Sequence, residues 1–411
     1  MNLIENILWG PIGCIVIIAV AIGLLIKTDF FYIRHPIKTL LKNKSGNAVN
    51  MLSALGGSIG VGNIAGVALA VKLGGAGVVF WMWIFAFITM ILKYAEIVIA
   101  VKYKHSGFGG AMFYLQNCKA GKLLSPLFCL FCIVSSFGIG CAVQSNACAS
   151  AAESAGISPL SCGIALAVFS SISVFGGGKR LQSISKYLVP AMSIIYIVAS
   201  LTVIISNYAN MPSVFAGIFK EAFSFKSIGG GLCFAAVKEG MSKGIFSSES
   251  GMGSSAIMYA YENDASPEDQ GIYGIVEVFI DTVIMCTLTA FVILSTGVDT
   301  SGDIVYSAFA SVFGTKSSYF IAFSLFCFSY TSICAWNFYG KCSLSFLTKS
   351  KAAMFIYNAA FIAVIIIGAL SNLEPVWQFA DICNALMLFV NIYAIVSLKK
   401  DISNPLKKSL K

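Results

Sequence analysis

The sequence predicts an all-α polytopic membrane protein of eleven transmembrane helices. Ten of them form a five-plus-five inverted repeat behind one extra N-terminal helix. Three observations carry this prediction. Of 411 residues, 58% are hydrophobic and 11% charged, against about 25% charged in a soluble domain. Apolar stretches close to the ~20 residues of a membrane span recur along the chain. Two of these stretches are broken by glycine at matching places, the pattern that marks a transporter's midplane site.

The apolar stretches are residues 7–26, 51–71, 77–101, 124–151, 159–175, 187–205, 230–255, 272–294, 319–346, 352–370 and 376–398. The first follows MNLIEN, which lacks a basic start, so it reads as a span and not as a cleaved signal. The second contains GGSIGVGNIAG, residues 56–66, with five glycines and a lone Asn63. Glycine weakens a helix by about 1 kcal/mol relative to alanine. An opened backbone survives in a membrane only where it lines a protein cavity. Close packing is the other reading, since Gly56/Gly60 and Gly62/Gly66 fit small-xxx-small spacing.

The second broken stretch is KEGMSKGIFSSESGMGSS, residues 238–255, with two Lys, two Glu and four Gly. No lipid-exposed helix tolerates that. A loop outside the membrane is its bland reading, but the apolar GLCFAAV leads straight in. With the first span set aside, the broken segments are the first and sixth of ten. The expected division is 1–50 for the extra helix and loop, 51–228 and 229–398 for the two halves, and 399–411 for a tail.

Loop charges give the orientation. Alternate connections hold Lys27, Arg34, Lys38, Lys42 and Lys44; Lys102, Lys104, Lys119 and Lys122; Lys179, Arg180 and Lys186; Lys349 and Lys351. The tail adds Lys399, Lys400, Lys407, Lys408 and Lys411, while the opposite connections hold only Lys72, Lys220, Lys226 and Lys316. The positive-inside rule then places the N-terminus outside and the C-terminus in the cytoplasm, in a cell inner (plasma) membrane. The net charge of +9 reads as topology and not as nucleic-acid binding.

Other chemistries find no support. The thirteen cysteines are scattered through apolar runs, and Cys129 and Cys132 form a CxxC with no second pair. His35 and His105 are the only histidines. No metal cluster, catalytic triad or phosphate-binding loop assembles, so neither an enzyme nor a cofactor is expected. A channel would want a pore-lining repeat, and a sensor an output domain beyond the thirteen residues after Leu398.

Four stretches carry a resemblance. They are residues 56–103 (GGSIGVGNIAG through KYAEIVIAVKY), residues 243–294 (KGIFSSESGMGSS through FVIL), FSYTSICAWNFYGKC (328–342) and EPVWQFADICNALM (374–387). Together they resemble the alanine or glycine:cation symporter family over nearly the whole chain. Where that family has GTGN, this chain has Gly60-Val61-Gly62-Asn63; its FSNEAG reads FSSESG here. The resemblance implies the leucine-transporter-type fold and sodium-coupled symport of a small neutral amino acid, alanine or glycine. Glutamine or another amino acid, and proton coupling, stand as alternatives.

An amino acid brings two charges into a low-dielectric site, and each needs partners. Unwinding at Gly60, Val61, Gly62 and Asn63 would present backbone N–H groups and a half-helix dipole to its carboxylate. Carbonyls freed there and across residues 240–246 would suit the ammonium and a cation. By resemblance, Gln144, Phe246, Ser332 and Trp336 line the substrate pocket. Sodium would take hard oxygens from Ser58, Asn63, Thr331 and Ser332 with carbonyls near Gly56 and Ile59. Among charged residues within spans, Lys93 and Glu96 are expected to pair. Glu277 and Asp281 read as structural partners or a proton relay. Lys243 and Glu249 are expected to brace the broken helix or to gate.

Overall fold

The computed structural model describes residues 11–42, 46–223, 231–262, 264–298, 303–371 and 374–407. Residues 7–10 of the first expected span, and Lys44, Lys226, Lys408 and Lys411, lie outside the described residues. The fold is all-α; among the described residues the only β pairing is an isolated bridge between His105 and Phe108.

Besides the short Phe31–Arg34, Pro36–Lys42 and Ala111–Leu115, the helices are α1 (Pro11–Lys27), α2 (Ala48–Ser58), α3 (Ala65–Gly74), α4 (Gly77–Lys102), α5 (Gly121–Phe137), α6 (Val143–Ser154), α7 (Pro159–Ser206) and α8 (Met211–Ala222). They continue as α9 (Gly231–Ser248), α10 (Ala256–Ala260), α11 (Pro267–Val278), α12 (Thr287–Thr296), α13 (Ile304–Phe313), α14 (Ser317–Leu347), α15 (Lys351–Leu370) and α16 (Glu374–Ser397). Several starts are fixed by local chemistry. Asn47, Ser158, Ser266, Asp303 and Ser350 each accept a backbone N–H of the first turn. Pro159 and Pro267 sit where a missing N–H costs nothing.

Six helical stretches among the described residues are long and apolar enough to cross a membrane, and the bent pair α2–α3 makes a seventh. One of the six, α7, contains two of the expected stretches, 159–175 and 187–205. At 48 residues and ~1.5 Å per residue it would be about twice the ~30 Å of a bilayer core. Its backbone breaks at Gly177, with φ 70° and ψ −168°, a left-handed value that favours glycine. Expected stretches 7–26 and 376–398 correspond to shorter apolar helices, Gly13–Lys27 and Ile382–Ser397.

Burial separates inner from outer helices. The second half of α4, from Thr89 to Val101, is entirely buried. It packs between α9 and α11. In contrast α7 and α15 present Val168, Phe175, Ile194, Val198, Phe355 and Ile356 outward. Large apolar side chains facing out in this number suit lipid and not water. The bent pair is enclosed: α2 touches α7 and α14, and α3 touches α9.

Candidate functional site

The first broken helix opens where the glycines are. α2 ends at Ser58, Ile59 and Gly60 are extended, and a short 3₁₀ turn (Val61–Asn63) leads into α3. The two half-helices differ in direction by 62°. Freed donors at the break find side-chain acceptors: the Gly60 N–H donates to Asn63 Oδ1 at 3.1 Å, and the Val61 N–H to Gln144 Oε1 at 3.1 Å. A Cβ at Gly60 would lie 2.8 Å from Gln144 Oε1 and would push that amide off the Val61 N–H. A Cβ at Gly62 would meet nothing within 4 Å.

Gln144 reaches the break because the helix carrying it is deformed. Between α5 and α6 the segment Gly138–Ala142 is a π-turn, a device common at functional sites. Gly140 in that turn sits against the Trp336 side chain, where a Cβ would not fit. A second π segment, Phe279–Cys286, joins α11 to α12 and carries Asp281.

The second broken helix opens later than expected. Residues 240–246 are helical, so the carbonyls up to Gly244 are not freed; the opening spans Glu249 to Ser255, between α9 and α10. Glu249, Gly251 and Gly253 all have positive φ. Neighbours from other helices hold this stretch open. Lys93 donates to the Ser248 carbonyl at 2.8 Å and to Ser255 Oγ at 2.6 Å, and Asn391 donates to the Gly251 carbonyl at 2.8 Å. The Gly253 N–H donates to Glu96 Oε2 at 2.9 Å.

The expected Lys93–Glu96 pair does not form. Lys93 pairs with Glu277 Oε1 at 3.1 Å, both side chains fully buried. Glu96 turns instead to Gly253 and to Asn391 Nδ2 at 2.8 Å. Partners arriving from α11 and α16 outcompete a neighbour on the same helix. Glu277 also accepts from Tyr259 Oη at 2.7 Å and Ser58 Oγ at 3.2 Å. Asp281 accepts from Asn63 Nδ2 at 2.8 Å and Ser247 Oγ at 2.7 Å, bridging the two broken helices.

Between the breaks lies a cavity. Of the sequence-predicted residues, Ser58, Val61, Gly62, Gln144 and Trp336 line it. Gly56, Ile59, Gly60, Asn63, Thr331 and Ser332 are not among its lining. The Ser332 hydroxyl donates to the Gly57 carbonyl at 2.9 Å, fastening α14 behind α2. Thr331 donates to its own helix, at the Cys327 and Phe328 carbonyls. A Cβ on Gly56 would lie 3.3 Å from Thr331 Cβ, so the carbonyl-bearing end of α2 and the α14 hydroxyls are neighbours. Phe246 lies on α9, and its side chain is outside those described.

The cavity also holds residues not predicted as its lining: Lys243, Ser247, Glu249, Met252 and Asn384. Lys243 forms no ion pair with Glu249 or with any other described residue. Glu249 accepts from Ser254 Oγ at 2.5 Å. One cation and one carboxylate thus border the same space without neutralising each other. The charge density of residues 238–255 was the available signal. Asn384 gave only a polar residue in an apolar run.

A family model described as the sodium:alanine symporter family matches residues 1–410. The chain is 32% identical to the sodium/alanine symporter AgcS of Methanococcus maripaludis, covering 97% of this chain and 94% of that one. It is 33% identical to the probable sodium/glutamine symporter GlnT of Bacillus subtilis, covering 99% and 89%. The amino-acid carrier protein AlsT of Bacillus subtilis is 36% identical, covering 83% and 75%. Among solved structures, MhsT in complex with L-phenylalanine superposes with a TM-score of 0.57 at 15% identity, over 86% of this chain and 89% of that one. That likeness is one of fold, the leucine-transporter type.

Proposed function

Since the chain belongs to the sodium:alanine symporter family, we propose that it carries small neutral amino acids, alanine and glycine foremost, in symport with sodium by alternating access. It is a multi-pass membrane transporter and not an enzyme. The observation that supports the substrate class best is the cavity between the two broken helices, bordered by Lys243 and Glu249. A zwitterion has one charge for each of them. The carboxylate would lie at Gly62 and the start of α3, where the half-helix dipole is positive. The ammonium would face Glu249. Gly60, Val61, Asn63, Gln144, Phe246, Ser332 and Trp336 would shape and close the site.

Sodium would sit behind the cavity, between α2 and α14. A hydroxyl that donates its proton to a carbonyl keeps lone pairs for a cation, so the bonds of Thr331 and Ser332 leave them usable. The carbonyls of Gly56 and Ile59 would complete the set, with Ser58, which lines the cavity, and Asn63, which sits at the break beside it. The eleven crossings, the five-plus-five repeat with halves 51–228 and 229–398, the external N-terminus and the cytoplasmic C-terminus belong to this reading. The test is uptake of labelled alanine, glycine and glutamine by proteoliposomes with and without an inward sodium gradient. Sodium-independent uptake would overturn sodium coupling and favour a proton path through Asp281 or Glu277.

A further inference from the structure

Asn384 stands apart from the polar residues around it. It is fully buried, 0% exposed, and it lines the cavity beside the broken helices. Neither its Nδ2 nor its Oδ1 has a hydrogen-bond partner among the described residues. Two turns along the same helix, Asn391 is equally buried but saturated: it donates to Glu96 and the Gly251 carbonyl and accepts from Tyr114. Asn391 holds the fold. Asn384 holds nothing among the described residues, and a buried amide with both ends unmade is costly enough to be rare in folded proteins.

On the reading above, Lys243, Glu249 and the Gly62 break account for the two charges of an amino acid. The part of the cargo left for Asn384 is its side chain. We propose that Asn384 reads that side chain, and that among the neutral amino acids carried, one whose side chain both donates and accepts a hydrogen bond binds more tightly than an isostere that can do neither. A hydroxyl or a carboxamide satisfies both ends of the amide, whereas a methyl group satisfies neither. A site built to hydrogen-bond a side chain rejects the analogue lacking it more strongly than an apolar pocket rejects an added hydroxyl.

The assignment rests on the symport reading, and binding to the full-length protein in lipid nanodiscs with sodium present separates the two. The probes are isosteric pairs, serine against 2-aminobutyrate and asparagine against leucine. The polar member of at least one pair should bind about tenfold or more tightly, and which pair does so tells hydroxyl from carboxamide. Asn384→Leu, of similar shape, should bring that ratio down to about two or less. If the unmodified protein binds both members of each pair equally, bound water completes the amide and the assignment is wrong; this needs no variant. An unchanged ratio in a monodisperse Asn384→Leu, or in Asn384→Ala should Leu misfold, overturns it as well. Binding of none of the four, nor of alanine, would instead sink the symport reading, and this assignment with it.

Discussion

The Lys93 ammonium lies 3.1 Å from Glu277 Oε1, and water reaches neither side chain. This pair ties α4 to α11, and through Ser58 and Ser255 it touches both broken helices. Removing one partner leaves the other charge stranded, which costs about 3–5 kcal/mol in buried pairs. Lys93→Met should therefore lower the unfolding temperature in detergent sharply. The double variant Lys93→Met/Glu277→Leu should recover much of the loss. A single variant as stable as its parent would show that the pair is dispensable.

Gly62 and Gly57 should separate function from packing. A side chain at Gly62 enters open space at the cavity, whereas a Cβ at Gly57 would sit 2.9 Å from Tyr339 Oη and 3.0 Å from Ala335 Cβ. Gly62→Leu is expected to fold, insert and lose substrate binding. Gly57→Leu is expected to fall in yield and thermal stability before any binding assay is reached. Normal alanine binding by Gly62→Leu would mean that the open helix is not the carboxylate's place.

Coupling should be readable at α14. Thr331→Ala removes one hard oxygen, so it should raise the sodium concentration needed for uptake before it alters substrate preference. Ser332→Ala should change both, because it also frees the Gly57 carbonyl on the helix that borders the cavity. Sodium and amino acid should strengthen each other's binding reciprocally by about 1–3 kcal/mol. The measurement is uptake against sodium concentration at fixed alanine; an unshifted sodium curve in Thr331→Ala would remove Thr331 from the ion site.

The loop charges predict an orientation that labelling can check. Single cysteines at Asn2 and Lys407, on a background cleared of accessible thiols, should label from the outside and the cytoplasm respectively. Labelling of both from one side would rule out an odd number of crossings.

The first break was legible because it is written locally: five glycines in eleven residues weaken a helix whatever surrounds it. The second was legible as a broken segment but misplaced by several residues. Its position is set by Lys93, Glu96 and Asn391 reaching in from helices distant in sequence. The Lys93–Glu96 expectation failed for the same reason: three-residue spacing puts two side chains on one face, but Glu277 and Asn391 arrive there from elsewhere. Asn384 was not singled out, since its distinction is the absence of partners. Sequence records a residue's identity and not whether its hydrogen bonds are made.

The π-turn at Gly138–Ala142 implies that part of the site is specified by chain length. A π-turn is an α-helical turn carrying a surplus residue. Deleting one residue other than Ile139 from it would leave every side chain of the cavity in the sequence and let α5 and α6 join as one regular helix. Everything beyond would then be rotated by about 100° relative to what precedes, carrying Gln144 away from the Val61 N–H it now accepts. Such a variant should reach the membrane intact and transport nothing. If it transports normally, the extra residue is mere spacing. If it does not, a relative one residue shorter here would need a different way to hold its first helix open, however well its side chains matched.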